Sequence, residues 1–205
     1  MKLILASVIV LLCFGSKWTP ASARDKRYPD WPCRQLKVPE LSAAAIWSGP
    51  SLENVPRASA ESPEVSDLVT RVAARRTPMA DAEKQIAAFI QGTQAEKQEK
   101  AKALFRALLD TLNAQRAAVM NGLERSYRKQ ELLADAIRAN TIKLREQQDA
   151  AERDEAKLQD LSRQIEWDTR IFEDRRKSTS FACEVPVEIE QRLFGLSRAI
   201  QKALE

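Results

Sequence analysis

Residues 123–177 read LERSYRKQELLADAIRANTIKLREQQDAAERDEAKLQDLSRQIEWDTRIFEDRRK, fifty-five positions without a glycine or a proline. Those two residues interrupt helices, glycine through backbone entropy and proline by removing an amide donor. Leu123, Ile137, Leu144, Ala151, Leu158, Ile165 and Phe172 fall on one seven-residue series in which Gln130 is the only polar member. A heptad repeat sustained over that length predicts a coiled-coil-like helix with its seam on those positions. At 1.5 Å per residue it would run roughly 80 Å, longer than an ordinary domain is wide.

Three residues after each seam position come Ser126, Leu133, Asn140, Gln147, Asp154, Leu161 and Asp168. Apolar pairs therefore concentrate at Leu133/Ile137 and at Leu158/Leu161/Ile165, and residues 138–157 read as a charged, solvated stalk. Acid-first pairs at four-residue spacing, Glu124/Arg128, Asp149/Arg153, Glu166/Arg170 and Glu173/Lys177, would each support such a helix by about 0.3 kcal/mol.

Working back toward the N-terminus, helix starts follow one another. Ser62-Pro63-Glu64 offers an N-cap, a proline at the first helical position and an acid in the first turn, ahead of an apolar face of Val65, Leu68, Val69 and Val72. That helix is expected to end near Arg76. Thr77-Pro78 repeats the signal before Ile86, Phe89 and Ile90, and Gly92 is the expected terminator. Thr93-Gln94-Ala95-Glu96 spells a capping box opening a helix near Gln94, with a stripe of Leu104, Leu108, Leu109 and Leu112. Asn121-Gly122 admits either a turn or a continuous helix.

At the other end, Ile189, Leu193, Leu196, Ile200 and Leu204 mark the apolar stripe of a last helix beginning near Pro186. It needs cover. The nearest candidates in sequence are Leu158 to Phe172, reached through a turn at KSTSFACEVP, residues 177–186. The fold class predicted is all-α: an elongated helical bundle with a coiled-coil-like long helix, short flanking helices and an extended proline-rich N-terminal strap.

Residues 1–23 carry the pattern of a secretory signal peptide, with Lys2, an apolar run from Leu3 to Gly15, and Ala21-Ser22-Ala23 as a cleavage site. That run is too short to span a bilayer. Residues 24–62 hold five of the nine prolines and read as the strap, followed by a helical body over 63–137, the stalk over 138–157 and a C-terminal helical hairpin over 158–205. A short helix is allowed at 41–47.

Without the leader, two cysteines remain, Cys33 and Cys183. In an oxidising compartment that pair is most simply one intramolecular disulfide, with a bridge between protomers as the alternative. An intramolecular bridge would bring the strap to the turn before the last helix and clasp the hairpin to it. Tyr28, Trp31 and Trp47 then serve either as packing at that end or as a partner-binding surface.

The chain contains 33 Lys and Arg against 29 Asp and Glu, and removal of Lys2 and Lys17 leaves a charge of +2. Basic residues are interleaved with acidic ones throughout, unlike the stripe of a nucleic-acid binder. No histidine is present, which removes His-based general acid/base, nucleophile-activating and zinc chemistry. Five glycines form no phosphate-cradling loop. The acidic run Asp149, Glu152, Asp154, Glu155 reads as a solvated helix face rather than a calcium site, which needs six or more oxygens on a curved loop.

These features predict a noncatalytic protein without cofactor or metal, periplasmic or otherwise secreted. It would act as an adaptor or assembly factor on another exported or membrane protein, or alternatively as a holdase-type chaperone. The heptads also allow a homodimer paired along the seam.

Overall fold

The computed structural model describes residues 25–53 and 55–205, so the expected leader lies outside the described residues. Seven helices follow in chain order: α1 (Ala43–Ile46), α2 (Arg57–Ala60), α3 (Pro63–Ala73), α4 (Met79–Phe89), α5 (Gln94–Asp149), α6 (Glu155–Ala182) and α7 (Val185–Lys202). Among the described residues no strand forms. The architecture is an elongated all-α bundle built on α5. Among the described residues no helix is long and apolar enough to cross a membrane.

Local chemistry sets the boundaries. Ser62 caps α3 by accepting from the Val65 amide, with Pro63 at the first position. Gly92, at φ +122°, takes the left-handed conformation that stops the chain after α4. The capping box at α5 is complete: Thr93 Oγ1 accepts from the Glu96 amide while Glu96 Oε2 accepts from the Thr93 amide at 2.8 Å. Thr77 does not cap α4; its hydroxyl turns back to the Arg71 carbonyl at 2.8 Å. The helix continues through Gly122, where a side chain would meet little more than Arg125.

The core gathers Val65, Leu68, Val69 and Val72 of α3, Ile86 of α4, Leu104, Phe105, Leu108 and Leu112 of α5, and Ile189, Leu193, Leu196 and Ile200 of α7. Here the cover for α7 differs from the sequence expectation: α4, the first part of α5 and α1 supply it, not Leu158 to Phe172. Gly195 permits the approach of α4, since a Cβ there would lie 2.9 Å from the Met79 methyl.

The long helix expected over 123–177 is broken. Residues 150–154 leave helical geometry, Asp154 caps α6 by accepting from the Lys157 amide at 3.1 Å, and the chain folds back on itself. The expected turn at 177–186 is helical instead up to Ala182, with only Cys183 and Glu184 between α6 and α7. The C-terminal hairpin is thus made by α5 with α6. Burying two apolar segments of one seam against each other drives this reversal. A single extended helix would leave both in water.

The result is a two-helix arm. Leu123, Gln130, Leu133, Ile137, Asn140 and Leu144 of α5 and Leu158, Leu161, Ile165, Asp168 and Phe172 of α6 are among the shielded positions along it. Beyond Leu123 neither helix buries a side chain fully. The seam positions thus meet within one chain.

Of the expected acid-first pairs none forms. Glu124 pairs with Lys37 and Arg128 with Asp30, both across to the strap, and the arm's own ion pairs are Asp135–Arg138, Asp154–Lys157 and Asp160–Arg163 at three-residue spacing.

Candidate interaction site at the clasp

Cys33 and Cys183 are joined, with Cα atoms 5.6 Å apart, so the strap is fastened to the corner between α6 and α7. Trp31 is buried here with Met120, Leu123 and Cys183, and Tyr28 packs against them half-buried. The Trp31 indole donates to the Gln35 carbonyl at 2.7 Å, and Gln35 Nε2 donates to the Cys183 carbonyl at 2.5 Å. Lys37 Nζ sits 2.5 Å from Glu124 and 4.7 Å from the centre of the Tyr28 ring. Trp47 stacks on Phe105 at 4.4 Å between ring centres and donates to the Pro50 carbonyl. Trp31 is thus buried and Trp47 half-buried, each anchored by its indole hydrogen bond.

What grips the strap is a set of polar side chains reading its backbone. Asn113 accepts from the Leu41 amide at 3.0 Å and donates to the Leu41 carbonyl at 2.9 Å, standing in for a neighbouring strand. Ser197, buried on α7, donates to the Ile46 carbonyl at 3.0 Å. Arg116 donates to the Val38 carbonyl. Extended backbone without a sheet must find such partners.

Arg116 is the unusual member. Its side chain is 5 % exposed, Nη2 stands 3.9 Å from Glu190, and Nε is buried with no hydrogen-bond partner. Burial pushes the guanidinium pKa down, with Glu190 opposing weakly. The other shielded guanidinium, Arg192, is satisfied: it donates to the Val72 carbonyl through Nε and Nη2 and to the Thr77 carbonyl. Buried arginines are ordinarily held in bidentate pairs. Arg116 has the charge and burial of such a residue without the partner.

A cleft of about 420 Å³ opens beside Arg116 between the strap and α7, walled by Trp31, Val187, Phe194 and Glu190. Leu36 and Val38 form part of its lining and are 71 % and 46 % exposed. An apolar wall with one incompletely paired cation is suited to a group that is apolar over most of its surface and carries a carboxylate or carbonyl.

A larger cavity, about 790 Å³, lies among α2, α3 and α5. Its charged residues are already matched, Arg57 with Glu61 at 2.6 Å and Arg106 with Asp110 at 3.2 Å. The acidic run expected on a helix face lies at the arm's corner, where Asp154 is used as a cap. Among the described residues no group of three or more His, Cys, Asp or Glu side chains is placed to hold a metal ion.

Gln35, Asn113, Arg116 and Ser197 are absent from the sequence reading. For Arg116 a signal existed: it lies four residues from both Leu112 and Met120, a charge on an otherwise apolar stripe. Compared with family models, curated proteins and solved structures, the chain matches none.

Proposed function

We propose that this chain is an exported, noncatalytic helical adaptor that docks a segment of one other envelope protein in the cleft between strap and α7. The observation that carries the reading is Arg116, buried beside that cleft with an unpartnered Nε, below an exposed pair of apolar residues, Leu36 and Val38. A partner segment with an apolar side chain against Leu36 and Phe194 and a carboxylate or main-chain carbonyl toward Arg116 would complete the pairing. Glu190, the more exposed group of its weak pair with Arg116, is what such a carboxylate would displace.

Export is supported by the leader pattern of residues 1–23 together with a disulfide that an oxidising compartment maintains. We favour one defined partner over the promiscuous clients of a holdase because the charged residues lining the 790 Å³ cavity among α2, α3 and α5 are matched in ion pairs rather than giving way to open apolar surface. Affinity capture with the disulfide-bonded protein tests this. Recovery of one stoichiometric partner, lost with Leu36→Asp and with Arg116→Gln while folding is retained, is the expected outcome. Capture of many unrelated unfolded chains, unaffected by either substitution, would favour the holdase.

A further inference from the structure

We infer that the arm is also a self-association surface, on which a second copy of this chain lies antiparallel to form a four-helix bundle. Gln130 Nε2 donates to the Phe172 carbonyl, which sets the register of α5 against α6: residues whose numbers sum to about 302 lie at one level. With the seam facing inward, heptad spacing places Lys129, Leu132, Ala136, Ala139 and Glu146 down one flank of α5. In an antiparallel pair equivalent heptad positions share a side, so Lys157, Gln164, Trp167, Asp174 and Phe181 run down the same flank of α6. The strap holds the opposite flank, through Glu124 and Arg128.

This flank is apolar where a surface is normally polar. Leu132, Trp167 and Phe181 are 69 %, 60 % and 76 % exposed, and Ala136 and Ala139 between them would let two helices approach closely. Its charges identify the occupant. A two-fold axis midway between Ala136 and Ala139 sets Lys129 opposite Glu146 of a second copy and Asp174 opposite Lys157. Each pair occurs twice by symmetry. Lys129, Glu146 and Asp174 make no ion pair with any described residue of their own chain. Lys143 would lay its aliphatic stem over the facing Leu132.

The same axis bisects the arm, which runs from the level of Leu123 to the corner at 150–154. Each corner therefore reaches the base of the other arm, where an apolar hollow of about 280 Å³ lined by Gly122, Leu123, Ser178 and Ala182 receives it. Two helices side by side over some 27 residues offer about 800 Å² per copy, the size of an ordinary stable interface.

Sedimentation of the full disulfide-bonded protein is expected to show a dimer weakened about tenfold or more by Lys129→Glu and restored by adding Glu146→Lys. Ala139→Cys, next to the axis, should crosslink to itself in solution, whereas Glu146→Cys should not. A monomer at about 0.1 mM, failure of the charge exchange to restore association, or self-crosslinking at Glu146→Cys, which a parallel pair would give, would each overturn the inference.

Discussion

The side chain of Gln130 is bonded to the main-chain carbonyl of Phe172, forty-two positions later, at 2.5 Å. That contact fixes how α5 and α6 lie against each other. Spin labels at the exposed positions Glu131 and Glu173 should accordingly report a separation of roughly 10 to 25 Å, one helix spacing plus the label arms. A continuous helix would hold them about 60 Å apart. Dipolar distance measurement on the doubly labelled chain decides between the two.

Arg116 contributes to stability through the Val38 carbonyl it serves, as well as to the cleft. Arg116→Ala is expected to lower stability by about 2 kcal/mol, the cost of leaving a buried carbonyl unserved and losing the packed stem. In a chain of this size that is a fall of roughly 4 to 8 °C in midpoint. Arg116→Lys should recover part of the stability, because an ammonium can reach one carbonyl, but not partner binding, which requires the planar fork.

Much of the fold could be read from the chain because it rests on local signals. The capping box at Thr93, the proline start at Pro63, the stop at Gly92 and the stripe Ile189 to Ile200 depend on neighbours within a turn or two. The reversal at 150–154 escaped because it carries neither glycine nor proline. Its one mark, Asp154 before Glu155 as a cap and first-turn acid, is indistinguishable from a charged helix face until the seam is seen to pair with itself. The strap's grip was hidden for a different reason. Asn113 and Ser197 act on main-chain groups of Leu41 and Ile46, and a backbone acceptor leaves no trace in residue identity. The cysteine count alone pointed to where the strap is fastened.

Opening the Cys33–Cys183 bridge should loosen the strap before it disturbs the body. The chain-entropy value for a loop of this length is about 5 kcal/mol. Asn113, Ser197 and the stacked Trp47 hold residues 41–47 without it. Cys33→Ser with Cys183→Ser is therefore expected to expose residues 25–40 to protease while α3, α4 and α7 stay protected. Limited proteolysis read by mass spectrometry checks this.

Acid should act first at the helix starts. The Thr93 amide and hydroxyl hold the Glu96 carboxyl below its ordinary pKa, and the Lys157 side chain and amide do the same for Asp154. A depressed folded-state pKa gives stability that is present above the unfolded value and lost as pH falls through the folded one. The protection of amides against exchange at the start of α5 and at the arm's corner, relative to the intrinsic rate at each pH, is thus expected to fall below about pH 4, ahead of the core, and to be constant from about pH 5 upward. Glu96→Gln and Asp154→Asn should remove the acid response at their own ends only.

The adaptor reading is tested most directly by a photocrosslinking amino acid placed at Leu36 and activated in intact cells. One discrete adduct with a different protein, reduced by Arg116→Gln, is expected, while the same probe at Ala139 should yield a covalent dimer of this chain. A diffuse ladder of unrelated proteins from Leu36, or no adduct above background, would contradict it.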